Sequence, residues 1–199
     1  MVSRAADYDW FVQNSDRQIA ENYCLTLIKN VPIDEVVVQL NGNLLGEYAS
    51  LQEVWEKESE VATTPVAAMT RFGAWTFMAE SGSNYGGFEP SARKLSRGTV
   101  LVSHTCSVDG DTEFIQAEDG QILLFFSPRY PAVREGSEPN RFVSRMEEAG
   151  FELGDNANGS QSTDSRAAAF ALAELITGVQ ITADMLDFSN YKYVALPPL

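Results

Sequence analysis

The sequence predicts an α+β fold: a mainly antiparallel β-sheet with helices packed around it. Two observations lead there. The first is a pair of hairpin signals, Val66–Phe72 with Trp75–Glu80 around Gly73, and Thr112–Glu118 with residues 121–127 around Asp119-Gly120. The second is a set of capped segments with helical apolar spacing before and after the hairpins.

Taken in order, Asp7-Tyr8-Asp9-Trp10-Phe11-Val12 predicts a short amphipathic helix. Residues 16–30 read as helix passing into strand, because Ser15 or Asp16 can cap a helix while Tyr23-Cys24-Leu25-Thr26-Leu27-Ile28 reads as a buried strand. Pro32 suits a first helical turn, and Asp34 and Glu35 suit its positive end, so a helix over 32–40 follows, ended by Asn41-Gly42-Asn43. Ser50-Leu51-Gln52-Glu53 is a capping-box pattern that opens a helix over 51–59.

In the first hairpin, Trp75, Phe77 and Ala79 share one face, and Thr76, Met78 and Glu80 share the other. Residues 81–87 are glycine-rich and turn-like, and 90–95 suit one or two helical turns. A strand over 99–106 places Val100, Val102, His104 and Cys106 on one side. Asp119-Gly120 favours a type I′ turn. That turn pairs Glu118 with Gln121, Ala117 with Ile122, Ile115 with Leu124 and Phe114 with Phe125. Large apolar pairs on both faces imply a hairpin covered on both sides. Helices are expected over 140–149, closed by Gly150, and over 166–177, capped by Thr163 or Asp164 and ended by Gly178. A short last helix is capped by Thr182. Residues 154–165 are polar and read as a mobile loop within a single domain spanning 1–199.

The chain carries 28 acidic residues against 14 basic ones, a formal net charge of −14, spread over both halves. Such a surface repels nucleic acid and anionic lipid and attracts basic proteins. No apolar run has the roughly 20 residues of a membrane span, and the N-terminus shows no signal-peptide h-region, so a cytoplasmic location is expected. Two cysteines make no disulfide framework; Cys24 and Cys106 both read as small buried hydrophobes.

One histidine and two thiols do not build a common zinc or Cys/His site, and neither a metal nor a cofactor is expected. His104 is the one candidate general base near neutral pH, yet its strand face is apolar and no second group is nominated beside it. Strand alternation sends Ser103 and Thr105 to the opposite face, so Ser103 and His104 do not form a nucleophile–base pair. Cys106 shares the His104 face in apolar company, which favours a protonated thiol. Asp109-Gly110-Asp111-Thr112-Glu113 has acids at i, i+2 and i+4 but not the glycine or closing glutamate of a calcium loop. Gly82-Ser83-Asn84-Tyr85-Gly86-Gly87 lacks the lysine of a phosphate-binding loop.

These exclusions favour a non-catalytic acidic module that binds a basic protein, with immunity or antitoxin action as the sharpest version. The candidate partner-binding residues are Glu53, Glu56 and Glu60, on one helix face, and Asp109, Asp111 and Glu113. The alternative is a small-ligand binder or enzyme with a pocket beside the sheet, bordered by His104, Tyr85 or Trp75.

Several short segments occur in order along the chain: Asp7-Tyr8-Asp9-Trp10, Tyr23-Cys24-Leu25-Thr26-Leu27, Trp75-Thr76-Phe77, Leu95-Ser96-Arg97-Gly98-Thr99, Val102-Ser103-His104, Glu118-Asp119-Gly120 and Leu175-Ile176-Thr177-Gly178-Val179. With Phe126-Ser127-Pro128 and Gly150-Phe151, the set resembles an uncharacterised family of actinomycete proteins, a domain of unknown function. The chain departs from that pattern at Pro32-Ile33-Asp34-Glu35, where the family has a Thr-Pro-Glu-Glu helix start. The resemblance implies an intracellular protein and brings neither an activity nor catalytic residues.

Overall fold

A computed structural model describes residues 4–13, 22–58, 64–81, 83–154 and 164–199. The described strands form one nine-stranded antiparallel sheet. In chain order they are β1 (Tyr23–Lys29), β2 (Asn43–Tyr48), β3 (Val66–Phe72), β4 (Trp75–Glu80), β5 (Val100–Cys106), β6 (Thr112–Glu118), β7 (Gln121–Phe126), β8 (Arg134–Glu135) and β9 (Tyr191–Ala195). Across the sheet the order is β2-β9-β3-β4-β1-β5-β6-β7-β8. The helices are α1 (Asp9–Val12), preceded by a 3₁₀ turn at Ala5–Tyr8, α2 (Ile33–Gln39), α3 (Leu51–Glu58), α4 (Glu89–Leu95), α5 (Val143–Ala149), α6 (Ser165–Thr177) and α7 (Ala183–Asp187).

Both faces of the sheet are covered, as its apolar pattern requires. On the first face, Leu25, Leu27, Phe77, Val102, Phe114 and Phe126 pack beneath α6, α5, α3 and the N-terminal turns. Helix α6 is buried along Ala167 to Ala173 because small alanines let its axis approach the sheet while Phe170 and Leu172 fill the gaps. On the second face, Ile28, Met69, Met78, Leu101, Ile115 and Ala117 pack beneath α2 and α4.

The expected α+β class holds, and several elements match closely. Asp164 caps α6 by accepting from the Arg166 N–H at 2.8 Å, and Gly178 ends it at φ +74°. Thr182 caps α7 in the same way. Asp119 and Gly120 both have positive φ, as the type I′ turn demands. Beyond the turn the expected register is corrected. Glu118–Gln121 and Ala117–Ile122 pair as expected, but a bulge then shifts the rest, so Gln116 faces Leu124, Ile115 faces Phe125 and Phe114 faces Phe126. Pro32 is the N-cap of α2, one position earlier than a first-turn proline, and α5 starts at Val143 because turns occupy residues 139–142. Strands β2, β8 and β9 are additions to the expected set. The helical part expected before β1, the Thr163 cap and most of the loop at 154–165 lie outside the described residues.

Candidate functional site

The second face divides into two chemical regions. Where Ile28, Leu101 and Ala117 lie, α2 and α4 cover it. Toward the other end of the strands the register builds a polar row, Glu80, Cys24, Thr105 and Glu113, on β4, β1, β5 and β6. Thr26 and Ser103 stand directly behind it, joined by a 3.0 Å hydrogen bond, with Cys24 Sγ 3.5 Å from Ser103 Oγ.

The glycine-rich segment before α4 closes over this polar end. Its anchor is Glu80, whose side chain is fully buried. Ser83 Oγ donates to Glu80 Oε2 at 2.6 Å, the Tyr85 N–H to the same oxygen at 2.9 Å, and the Gly86 N–H to Oε1 at 3.0 Å. The Gly87 N–H is taken by Asn84 Oδ1 at 3.1 Å, and Tyr85 Oη donates to the Pro197 carbonyl. Burial raises the Glu80 pKa despite these donors. Burial, with the Glu80 carboxyl alongside, also raises the Cys24 thiol well above its ordinary value, which favours the protonated thiol.

Beside the anchored segment lies a cleft of about 500 Å³ between α4 and strands β6 to β8. Its floor is Ile115, Ile122 and Phe125, and carboxylates of Glu89, Glu113 and Glu135 line it. Asn84, Gly87 and Phe88 form the wall that Glu80 holds in place. Arg93 also lines the cleft but is held by Glu89 at 2.7 Å. Glu113 and Glu135 have no ion pair among the described residues.

The five expected partner-binding residues that are described do not come together. Glu113 lines the cleft, while Asp109 and Asp111 are exposed in the β5–β6 turn, a loop closed by Ser107 through the Asp111 and Gly110 amides. Glu53 and Glu56 lie on α3, which packs on the first face. Glu53 Oε2 accepts from the Ala49 N–H at 2.9 Å while Ser50 Oγ accepts from the Glu53 N–H at 3.2 Å, so Glu53 works as a helix cap. Glu56 accepts from Gln52 Nε2 at 3.1 Å. Glu60 lies outside the described residues. Among the described residues no cluster of three metal-ligating side chains occurs, and no described helix is long and apolar enough to cross a membrane.

The residues suggested for a pocket near His104 are separated as well. His104 is 2% exposed on the first face, its ring 4.5 Å from that of Phe170 and 5.4 Å from that of Tyr23. Neither ring nitrogen finds a hydrogen-bond partner among the described residues, and burial lowers its pKa to about 3. It is a neutral core imidazole. Tyr85 is on the opposite face, and Trp75 pairs with Lys29, four residues along β1 from the Leu25 that faces His104.

The residues missed from sequence are Glu89, Phe125 and Glu135, with Glu80 behind them. One signal for Glu80 was available: it is the charged end of the strand face shared by Thr76 and Met78. Its neighbours come from three other strands and needed the register.

A model of a family of unknown function (DUF6461) matches residues 1–198, and the chain belongs to that family. No curated protein and no solved structure matches it.

Proposed function

From a family membership that brings no activity with it, we propose that the chain is a non-catalytic acidic module that binds and neutralises a basic protein, with immunity or antitoxin action as the sharpest form. The observation that carries this is the second-face cleft, where two carboxylates with no ion pair among the described residues flank an apolar floor on a body of net charge −14. The charge raises the encounter rate with a basic partner, and the cleft supplies a place where one of its side chains leaves water. The buried and protonated state of Cys24 and the core position of His104 are consistent with a binding role.

The test is affinity capture from the source cell at moderate salt, followed by reconstitution of the purified complex. A stoichiometric basic partner, weakened about ten-fold or more by Glu113→Lys with Glu135→Lys, supports the reading. Recovery of no stoichiometric protein ends it. The cleft volume also suits a small molecule, since such sites run from about 300 to 1,000 Å³. A thermal-shift screen with nucleotides, sugars and acyl compounds decides between the two.

A further inference from the structure

We infer that the second-face cleft is an arginine pocket, taking the guanidinium of one arginine side chain of the partner polypeptide, with Phe125 as its platform and Glu113 and Glu135 on either side. The inference rests on the protein-binding reading and specifies the side chain that enters.

The sheet register sets the geometry. Ile115, Phe125 and Glu135 form one lateral row across β6, β7 and β8, and Glu113 lies on the same face two residues before Ile115. Directly opposed residues of an antiparallel pair have Cβ atoms about 5 Å apart, and diagonal neighbours about 7–8 Å. Glu135 is therefore the direct neighbour of Phe125 and Glu113 its diagonal one. Glu135 on β8 and Glu113 on β6 thus flank the Phe125 position from the two sides of β7. Phe125 is partly exposed and lines the cleft.

Charge and shape then select the ligand. Three carboxylates face one guanidinium in the cleft, and Arg93 is already held by Glu89, so the balance repels anions. A planar, weakly hydrated guanidinium stacks on an aromatic ring and donates within its plane in more than one direction, toward carboxylates on both sides. An ammonium is a compact, strongly hydrated point charge and gains less from the ring. The methylene stem of arginine lies against Ile115 and Ile122, which an all-polar cation would leave unpaired.

The experiment is an amide chemical-shift titration of the full chain with N-acetyl-arginine amide, beside the lysine analogue and the neutral isostere N-acetyl-citrulline amide. The expected result is saturable shifts at Glu113, Phe125, Glu135 and residues 84–88, about ten-fold weaker for lysine and absent for citrulline. Glu113→Gln with Glu135→Gln abolishes them, and retained dispersion elsewhere in the spectrum shows that the variant folds. Equal shifts with citrulline, or shifts spread over the acidic surface and unchanged in the variant, overturn the inference. If the partner complex forms while the arginine probe fails, the pocket assignment falls alone. If the probe binds and no basic partner is recovered, the protein-binding reading falls, and with it the partner as the source of the arginine, while the cleft stands as a guanidinium site.

Discussion

Gly86 lies against Thr26 so closely that a β-carbon on the glycine would sit 1.8 Å from the threonine Oγ1, and 2.9 Å from both Cys24 Sγ and Ser103 Oγ. The loop backbone thus rests directly on the polar end of the sheet. Gly86→Ala is expected to cost about 1–3 kcal/mol, the usual penalty of overpacking a tight site, read from urea denaturation. Thr26→Ala gives up the bond to Ser103 but opens the space. The double variant is therefore expected to be about 1 kcal/mol more stable than the two single costs added together. Strict additivity would show that the two residues do not touch.

Glu80→Gln tests the anchor. The amide keeps one acceptor oxygen: in place of Oε2 it leaves the Gly86 N–H without its partner, and in place of Oε1 it leaves both Ser83 Oγ and the Tyr85 N–H, at a cost of about 1–3 kcal/mol or more. Faster hydrogen exchange at the Tyr85 and Gly86 amides is the local readout. The pH dependence has a definite sign. The folded pKa is raised, so the native state holds its proton longer than the unfolded chain. The Glu80 contribution to stability therefore falls as pH rises from the ordinary carboxylate range through the raised value, then levels off. The glutamine variant lacks that slope, and an unchanged slope would mean that Glu80 does not titrate as described.

His104 contributes the opposite slope. Its folded pKa is lowered to about 3, so the unfolded chain binds the extra proton between that value and the ordinary imidazole range. Stability therefore rises with pH across this window, by up to about 1.4 kcal/mol per pH unit. His104→Leu keeps the volume close and removes two nitrogens that are buried without partners among the described residues. At pH 7 its stability is expected within about 1.5 kcal/mol of the parent, and at pH 4 it is expected to be the more stable of the two. Denaturation curves at both pH values check this, and a greater loss at pH 4 than at pH 7 would refute a neutral core role.

Glu53 separates capping from binding. Glu53→Ala removes the acceptor for the Ala49 N–H and is expected to cost about 0.5–2 kcal/mol. Affinity for a basic partner should change little, because α3 packs on the face opposite the cleft. A large affinity loss with unchanged stability would return α3 to the binding surface.

Local chemistry was legible where it rests on adjacent residues. The Asp119-Gly120 turn, the Ser50/Glu53 cap pattern and the Gly178 helix stop all depend on neighbours within four positions. The bulge beyond the hairpin was not legible, because Leu123 is apolar and fits either register until Phe125 is opposed to Ile115. Strand β2 escaped for a different reason: it is largely exposed, so its residues lack the burial that writes an alternating pattern. The cleft needed three strands aligned at once. In the sequence Glu113 groups with Asp109 and Asp111, whereas in the fold its companions, Phe125 and Glu135, come from strands farther along the chain.

Strand β9, residues 191–195, lies between β2 and β3, which stand some 120 to 150 positions earlier in the chain. During synthesis β2 therefore has no sheet neighbour to join until residues 191–195 have left the ribosome. Until then the growing protein displays a bare β3 margin and the loose, leucine-bearing β2 ribbon, both open to pairing with other nascent chains. Chaperone demand should peak in that interval and end when Tyr191, Tyr193 and Val194 slot into place.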